Sequence, residues 1–230
     1  MCLGTSFSRV GMQIKNSVPR AKARVAVLVA HPDDETLWCG GLLLQHPSWD
    51  SFVGSLCRGN DPDRAPKFFK ALDRLGAEGA MADLDDGPQQ VPLEESAVRQ
   101  TLLSLMPGRA WDIILTHGLL GEYTRHLRHE EVSRAVLNLW SDGALRAREL
   151  WLFAYEDGGR SYLPRPQDGA DIRLALPDDT WQAKYSLVTE AYGFAPESWE
   201  AGVTPRVEAF TRIVSPEKAR VLLKIGDTVR

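Results

Sequence analysis

Apolar positions fall into two kinds of run along this chain, and their alternation predicts its architecture. Residues 25–30 form an unbroken apolar stretch, the pattern of a strand buried on both faces. Residues 52–57, 80–84, 111–116 and 150–155 repeat it. Between them lie stretches of helical spacing. Residues 36–45 form the first, and residues 64–76 put Phe68, Leu72 and Leu75 on one face, with Gly76 as the cap. Residues 93–106 align Val98, Leu102 and Leu105, and residues 130–140 align Val132, Val136 and Leu137. Strands alternating with helices predict an α/β fold, a Rossmann-like three-layer sandwich around a mostly parallel sheet. Gly40 and Gly41 would let the first helix sit close against that sheet. From residue 156 to Pro177 the chain is rich in Pro, Gly and Asp and predicts a long surface excursion. A helix over residues 178–192, capped by Gly193, and a tail that packs back on the domain complete the chain. The expected division is a loosely ordered arm over residues 1–23 and a single domain over residues 24–230.

The polar residues at the strand ends carry the chemistry. The first run stops at His31-Pro32-Asp33-Asp34-Glu35, on the carboxyl edge of the sheet, where open α/β sheets bind ligands. His31 and Asp34 can converge across a turn stiffened by Pro32, and imidazole with carboxylate suits zinc. Asp33 points elsewhere and stays free to accept a proton. Glu35 falls in the first helical turn, where the helix dipole favours a carboxylate. An acidic helix N-terminus alone would leave the same run, so a further ligand has to decide. The fourth strand supplies it: three of the five histidines lie within residues 117–129, and His126 and His129 are three apart at a helix start. His31, Asp34 and His129 then give a His₂Asp set with an open position, the arrangement of catalytic zinc. Asp33 is placed as base and His126 to stabilise an oxyanion or protonate a leaving nitrogen, the parts amide hydrolysis requires. Arg64, at the start of its helix, can reach an anionic or polar substrate group, and Asp85 and Asp86 form an acceptor-rich turn that can meet substrate hydroxyls.

The rest of the composition narrows the setting. A net charge of −4 argues against a general nucleic-acid binder, and no apolar run is long enough for a membrane span. Three cysteines without a C-x-x-C spacing fit a reducing cytoplasm, and residues 1–23 lack the apolar core of a signal peptide.

The sequence Ala30-His31-Pro32-Asp33-Asp34-Glu35, together with Thr116-His117-Gly118-x-x-Gly121-Glu122-Tyr123 running into His126-x-x-His129, resembles the LmbE/PIG-L family of zinc-dependent N-deacetylases. The likeness covers most of residues 24–160. It implies zinc on His31, Asp34 and His129, with Asp33 as base and His126 as the transition-state residue. It further implies that Arg64 contacts substrate; Asp86, from its acceptor-rich turn, and Tyr123, from the second motif, are the other candidate substrate contacts. The implied substrate is an N-acetylglucosaminyl compound: a thiol cofactor, a lipid-linked sugar or an antibiotic glycoside. The family commonly writes one residue between the tyrosine and the next histidine; here Thr124 and Arg125 intervene. It also writes an Asp before the last histidine, where this chain has Arg128, a charge reversal expected at the pocket rim. Two other classes fit some of the same residues. Two His and a carboxylate also make the facial triad of non-haem Fe(II) enzymes, and Fe²⁺ suits these ligands as zinc does. A non-catalytic sugar-binding module would keep the metal pocket but has no need of Asp33. A homo-oligomer is compatible with all three.

Overall fold

A computed structural model describes residues 22–228, so most of the expected N-terminal arm lies outside the described residues. The elements are β1 (Arg24–Val29), α1 (Asp34–Gln45), β2 (Asp50–Cys57), α2 (Arg64–Leu75), β3 (Glu78–Leu84), α3 (Glu95–Leu105), β4 (Trp111–Thr116) and α4 (Leu127–Ser141). They continue with β5 (Ala147–Phe153), β6 (Tyr155–Glu156), β7 (Arg165–Pro166), β8 (Ile172–Ala175), α5 (Asp178–Ser186), α6 (Trp199–Val203), β9 (Val207–Ile213) and α7 (Pro216–Thr228).

The main sheet has seven strands in the order β3-β2-β1-β4-β5-β9-β8. The first five are parallel, and β9 and β8 join antiparallel. Side chains alternate across the pleat. Val25, Val27 and Val29 pack with α1 and α2, whereas Ala26 and Leu28 pack with α3, α4 and α7. A core on each face of a sheet covered by helices is the expected three-layer sandwich. From β1 the chain runs outward to β2 and β3, then returns to β4 on the other side of β1. The gap beyond the carboxyl ends of β1 and β4 is therefore the topological switch point, where the loops diverge and leave a crevice.

The second half departs from the sequence expectation. The predicted excursion holds a two-stranded hairpin, β6 with β7, and the edge strand β8 of the main sheet. Only four residues long, β8 carries too little apolar signal to be read. The predicted helix over residues 178–192 stays α-helical to Ser186 and then widens into a π-turn, Leu187–Ala191. The tail, whose role could not be read, supplies β9 and α7.

Gly41 accounts for the tight seat of α1. A Cβ there would lie 2.4 Å and 2.5 Å from the two Leu176 methyls and 2.9 Å from Glu208 Oε1. At Gly40 the nearest atom would be 3.6 Å away, ordinary contact. Gly41→Ala is therefore expected to cost about 1–3 kcal/mol by overpacking. Gly40→Ala should be neutral or stabilising, since Ala is the better helix former. Urea denaturation of the two variants checks the contrast; equal midpoints would refute it.

Candidate metal centre

The residues singled out in the two motifs come from the strand ends, loops and first helical turns at the switch point. His31 Nδ1 lies 3.2 Å from Asp34 Oδ2 and 3.2 Å from His129 Nε2, and His129 Nε2 lies 3.4 Å from Asp34 Oδ2. Ligand atoms about 2.0–2.1 Å from a tetrahedral ion are separated by ~3.3 Å, so these three donors are spaced as a bound ion would require. Among the described residues, three overlapping groups have the composition of a metal site: His31, His126 and His129; Asp34, His117 and His129; and His31, Cys57 and Asp86.

Hydrogen bonds decide which lone pairs face inward. His129 Nδ1 meets Glu122 Oε2 at 2.6 Å and His31 Nε2 meets Asp86 Oδ1 at 3.1 Å. A carboxylate can only accept, so it draws the proton to that nitrogen and leaves the other directed at the centre. Trp38 Nε1 donates to Asp34 Oδ1 at 3.2 Å, freeing Oδ2 for the centre. His117 is differently engaged: its Nε2 accepts from the Ala30 N–H at 2.9 Å and its Nδ1 faces Glu122 Oε2 at 3.0 Å. Its acceptor lone pair is consumed by Ala30, just past the end of β1, which ties the two motif loops together. Burial opposes charge on His31, but its contacts with Asp34 and Asp86 prevail and raise its pKa to about 10. Burial likewise opposes the Asp34 carboxylate, and the three facing imidazoles overcome it, so its pKa falls well below the usual range.

Asp33 is bent away from this cluster by its backbone. Its φ of 124° is rare for a residue with a side chain, a conformation that costs about 1–3 kcal/mol. Glu35 braces it: Oε2 accepts the Asp33 N–H at 3.1 Å, while Oε1 accepts from Thr36 Oγ1 and Tyr192 Oη, both at 2.6 Å. Burial and the neighbouring Asp34 charge raise the Asp33 pKa well above the carboxylate range. Arg64 reaches Asp33 Oδ2 with Nη1 at 3.3 Å and lies over the Phe194 ring at 4.8 Å. It also faces the cavity.

His126 caps α4 and stacks on His129, with ring centroids 4.4 Å apart at 19°. Its Nδ1 is buried with no hydrogen-bond partner. Burial and the positive potential of His129 and His31 push its pKa down to about 3, so the ring is neutral near pH 7. Tyr123 does reach the cavity despite the extra residue, with its ring 5.9 Å from that of His126 and 4.9 Å from that of Trp199. The insertion is absorbed outside: Thr124 is held by Asp157 at 2.8 Å and 2.5 Å, and Arg125 pairs with Glu130.

Two sequence expectations change. Arg128 is not at the rim. It is buried, donating to Asp85 O at 2.6 Å, Val91 O at 2.7 Å and Glu131 Oε2 at 2.6 Å, and thereby pins the loop after β3. Asp86 does line the cavity, but both its oxygens are engaged, Oδ1 by His31 and Gln90 and Oδ2 by Arg58. Its first task is to orient His31. Sequence reasoning gave no role to His117 or Glu122, although both stand in the second motif. It missed Trp38, Arg58, Trp199 and Glu200 as lining residues. Trp199 and Glu200 lie far along the chain with no local signal.

The cavity over these groups measures about 230 Å³. Fold and site together define the class: an α/β three-layer sandwich with a His/Asp cluster of metal-binding composition at its switch point. The zinc-inhibited form of teicoplanin deacetylase Orf2 matches with a TM-score of 0.60 at 14% identity, over 83% of this chain and 98% of that one. GalB, the 4-carboxy-2-hydroxymuconate hydratase of Pseudomonas putida KT2440, matches at 0.55 and 17% identity, over 83% and 95% of the two chains. The uncharacterized protein L374 of Acanthamoeba polyphaga mimivirus is 24% identical over 132 residues, 51% of this chain. The match spans 58% of that curated relative's length. No protein-family model matches the chain. A hydratase and a deacetylase share this fold, so the reaction has to be argued from the site. Among the described residues, no helix is long and apolar enough to cross a membrane.

Proposed function

We propose that this chain is a zinc-dependent hydrolase that removes an N-acyl group, acetyl in the first instance, from an N-acetylglucosaminyl-type amino sugar or glycoconjugate. One observation carries the reading: three donor atoms at ion-ligand spacing stand beside the Asp33 carboxylate, which belongs to none of the metal-type groups, and the His126 imidazole. His31, Asp34 and His129 are the proposed ligands. His117 is excluded because the Ala30 N–H uses its lone pair. Burial raises the Cys57 thiol pKa to about 12, so without an ion it stands as a neutral thiol, and it is not among the proposed ligands. A zinc ion held there would polarise an amide carbonyl and bring the pKa of a water toward ~7.

The chain's own residues do the rest. Asp33, its proton affinity raised by burial and by Asp34, accepts the proton of the attacking water, and Arg64 holds the receiving carboxylate in place. His126 is neutral, so it offers an N–H to the developing oxyanion rather than a full positive charge. Tyr123 lines the cavity with an aromatic ring suited to a sugar, and the fully buried Trp38 backs it. The free thiols of Cys39 and Cys57 agree with a cytoplasmic setting.

The test is primary-amine release from a panel of N-acetylglucosaminyl compounds by metal-quantified protein. Chelator-sensitive release, restored by zinc, is expected. A metal-loaded protein that releases no amine from free sugars, glycolipids or longer acyl amides would exclude the reaction. Restoration by Fe²⁺ alone would replace the proposed ion. Glu122→Gln should weaken metal affinity ~10–100-fold, because a neutral amide no longer fixes the His129 tautomer. Competition titration against a chromogenic chelator reads this, and an unchanged affinity would deny Glu122 that part.

A further inference from the structure

The cavity over the metal centre is small. At about 230 Å³ it falls below the ~300 Å³ from which drug-sized ligands are usually accommodated, so it holds little beyond one sugar ring and its acyl group. It does not end there. Tyr123, Trp199 and Glu200 line it and also line a second cavity of about 530 Å³, whose further wall is made by the loop between β6 and β7.

That second cavity leaves large apolar side chains in water: Tyr162 is 36% exposed, Leu163 49% and Trp199 39%. Two arginines line it as well. Arg125 is occupied by Glu130. Arg160 donates through Nε to Thr124 O at 2.8 Å, and neither of its terminal nitrogens has a partner among the described residues. Among the described residues no acid forms an ion pair with it. Asp157 spends its oxygens on Thr124 and on the Gly159 N–H at 3.0 Å, and Glu200 lies at the junction of the two cavities.

The loop is built to hold this arrangement. Gly158, Gly159 and Arg160 follow one another with φ of 58°, 67° and 69°. A Cβ at Gly158 would lie 2.4 Å from the Tyr162 ring, so glycine there admits the ring. The Tyr162 hydroxyl donates to Glu156, and Arg165 lies 4.0 Å from the Tyr162 ring centroid. At Arg160 the left-handed backbone has no such steric reason, and strained non-glycine residues of this kind concentrate at ligand sites.

We infer that the second cavity is an aglycone subsite, and that it takes an apolar aglycone bearing an anionic group, carboxylate or phosphate, which pairs with Arg160. The inference rests on the deacetylase reading for the sugar end of the substrate. Free N-acetylglucosamine and its phenyl, 4-carboxyphenyl and 4-phosphophenyl glycosides are offered to the metal-loaded protein, with binding by calorimetry and amine release by kinetics. The phenyl glycoside should bind tighter than the free sugar, and the anionic glycosides ~10-fold tighter again. Arg160→Ala should bring the ratio of anionic to neutral binding close to one. Leu163→Glu, at an exposed position where folding is not at stake, should lower the same ratio by repulsion. The better of the two anionic arms identifies the anion. Equal binding of neutral and anionic glycosides, or a ratio untouched by Arg160→Ala, would overturn the subsite. Arg160-dependent binding without amine release from any compound would keep the subsite and reject the reaction.

Discussion

Asp33→Asn is expected to lower amine release by about 10²–10⁴-fold while leaving the metal content of the protein unchanged. The magnitude is that of losing a general base. The physical case is the separation between Asp33 and the donor cluster. Asp33 Oδ2 meets Arg64, whereas the spaced donors are His31 Nδ1, Asp34 Oδ2 and His129 Nε2. Asn has the same shape as Asp and, with Asp, is the side chain best tolerated at positive φ, so the bent backbone should survive the exchange. What is lost is the carboxylate, whose affinity for a proton is raised by burial and by the adjacent Asp34 charge. Metal analysis and turnover on the same preparation separate the two roles. A metal-loaded Asn variant with near-normal turnover would remove Asp33 from the mechanism. One that has lost its metal would instead make Asp33 part of the ligand set.

Lys184→Met should cost about 3–5 kcal/mol of folding stability, a large share of the ~5–15 kcal/mol typical of a domain. Lys184 and Glu208 are both fully buried, with Nζ 2.6 Å from Oε1. Glu208 also accepts from the Gly41 and Leu42 N–H groups, each at 2.7 Å, so it fastens β9 and α5 to α1. Removing the ammonium leaves a carboxylate in the core with two backbone donors and no counter-charge. The double variant Lys184→Met with Glu208→Gln should recover much of the loss, because it removes the stranded charge and keeps an acceptor for one backbone N–H. Chemical denaturation of the three proteins checks this. A single variant within 1 kcal/mol of the parent would show that the pair contributes little. Because α1 begins at Asp34, the same variant should also weaken metal binding, which links the tail of the chain to the candidate centre.

The first half of the chain was legible because β1, β2 and β4 are buried on both faces and therefore read as largely apolar runs, while the edge strand β3 is only half-buried. β1 and β4 were found within a residue of their ends, and α2 was found with its Gly76 cap at φ 67°. The turn from His31 to Asp34 and the spacing of His126 and His129 are local features, so the stacked His126 and His129 rings and the approach of His31 to Asp34 could be expected from short-range geometry. β8 and the hairpin of β6 and β7 were hidden because strands of four and two residues carry almost no periodicity. Arg128 was misplaced for a different reason: its three acceptors come from Asp85, Val91 and Glu131, and two of those lie on a loop some forty positions earlier.

By itself the sequence determined the α/β alternation, the two strand-end clusters and the side-chain types that can hold a metal ion, because each is set by residues adjacent or a few positions apart. Only the tertiary structure decided which nitrogen of each histidine faces the centre, since Asp86 and Glu122 act on His31 and His129 from other loops. It alone withdrew His117 by spending its lone pair on Ala30, bent Asp33 onto Arg64, and set Trp199 and Glu200 between two cavities. Those outcomes depend on hydrogen bonds and ring contacts between segments that only the strand order brings together, and no local pattern in the chain records them.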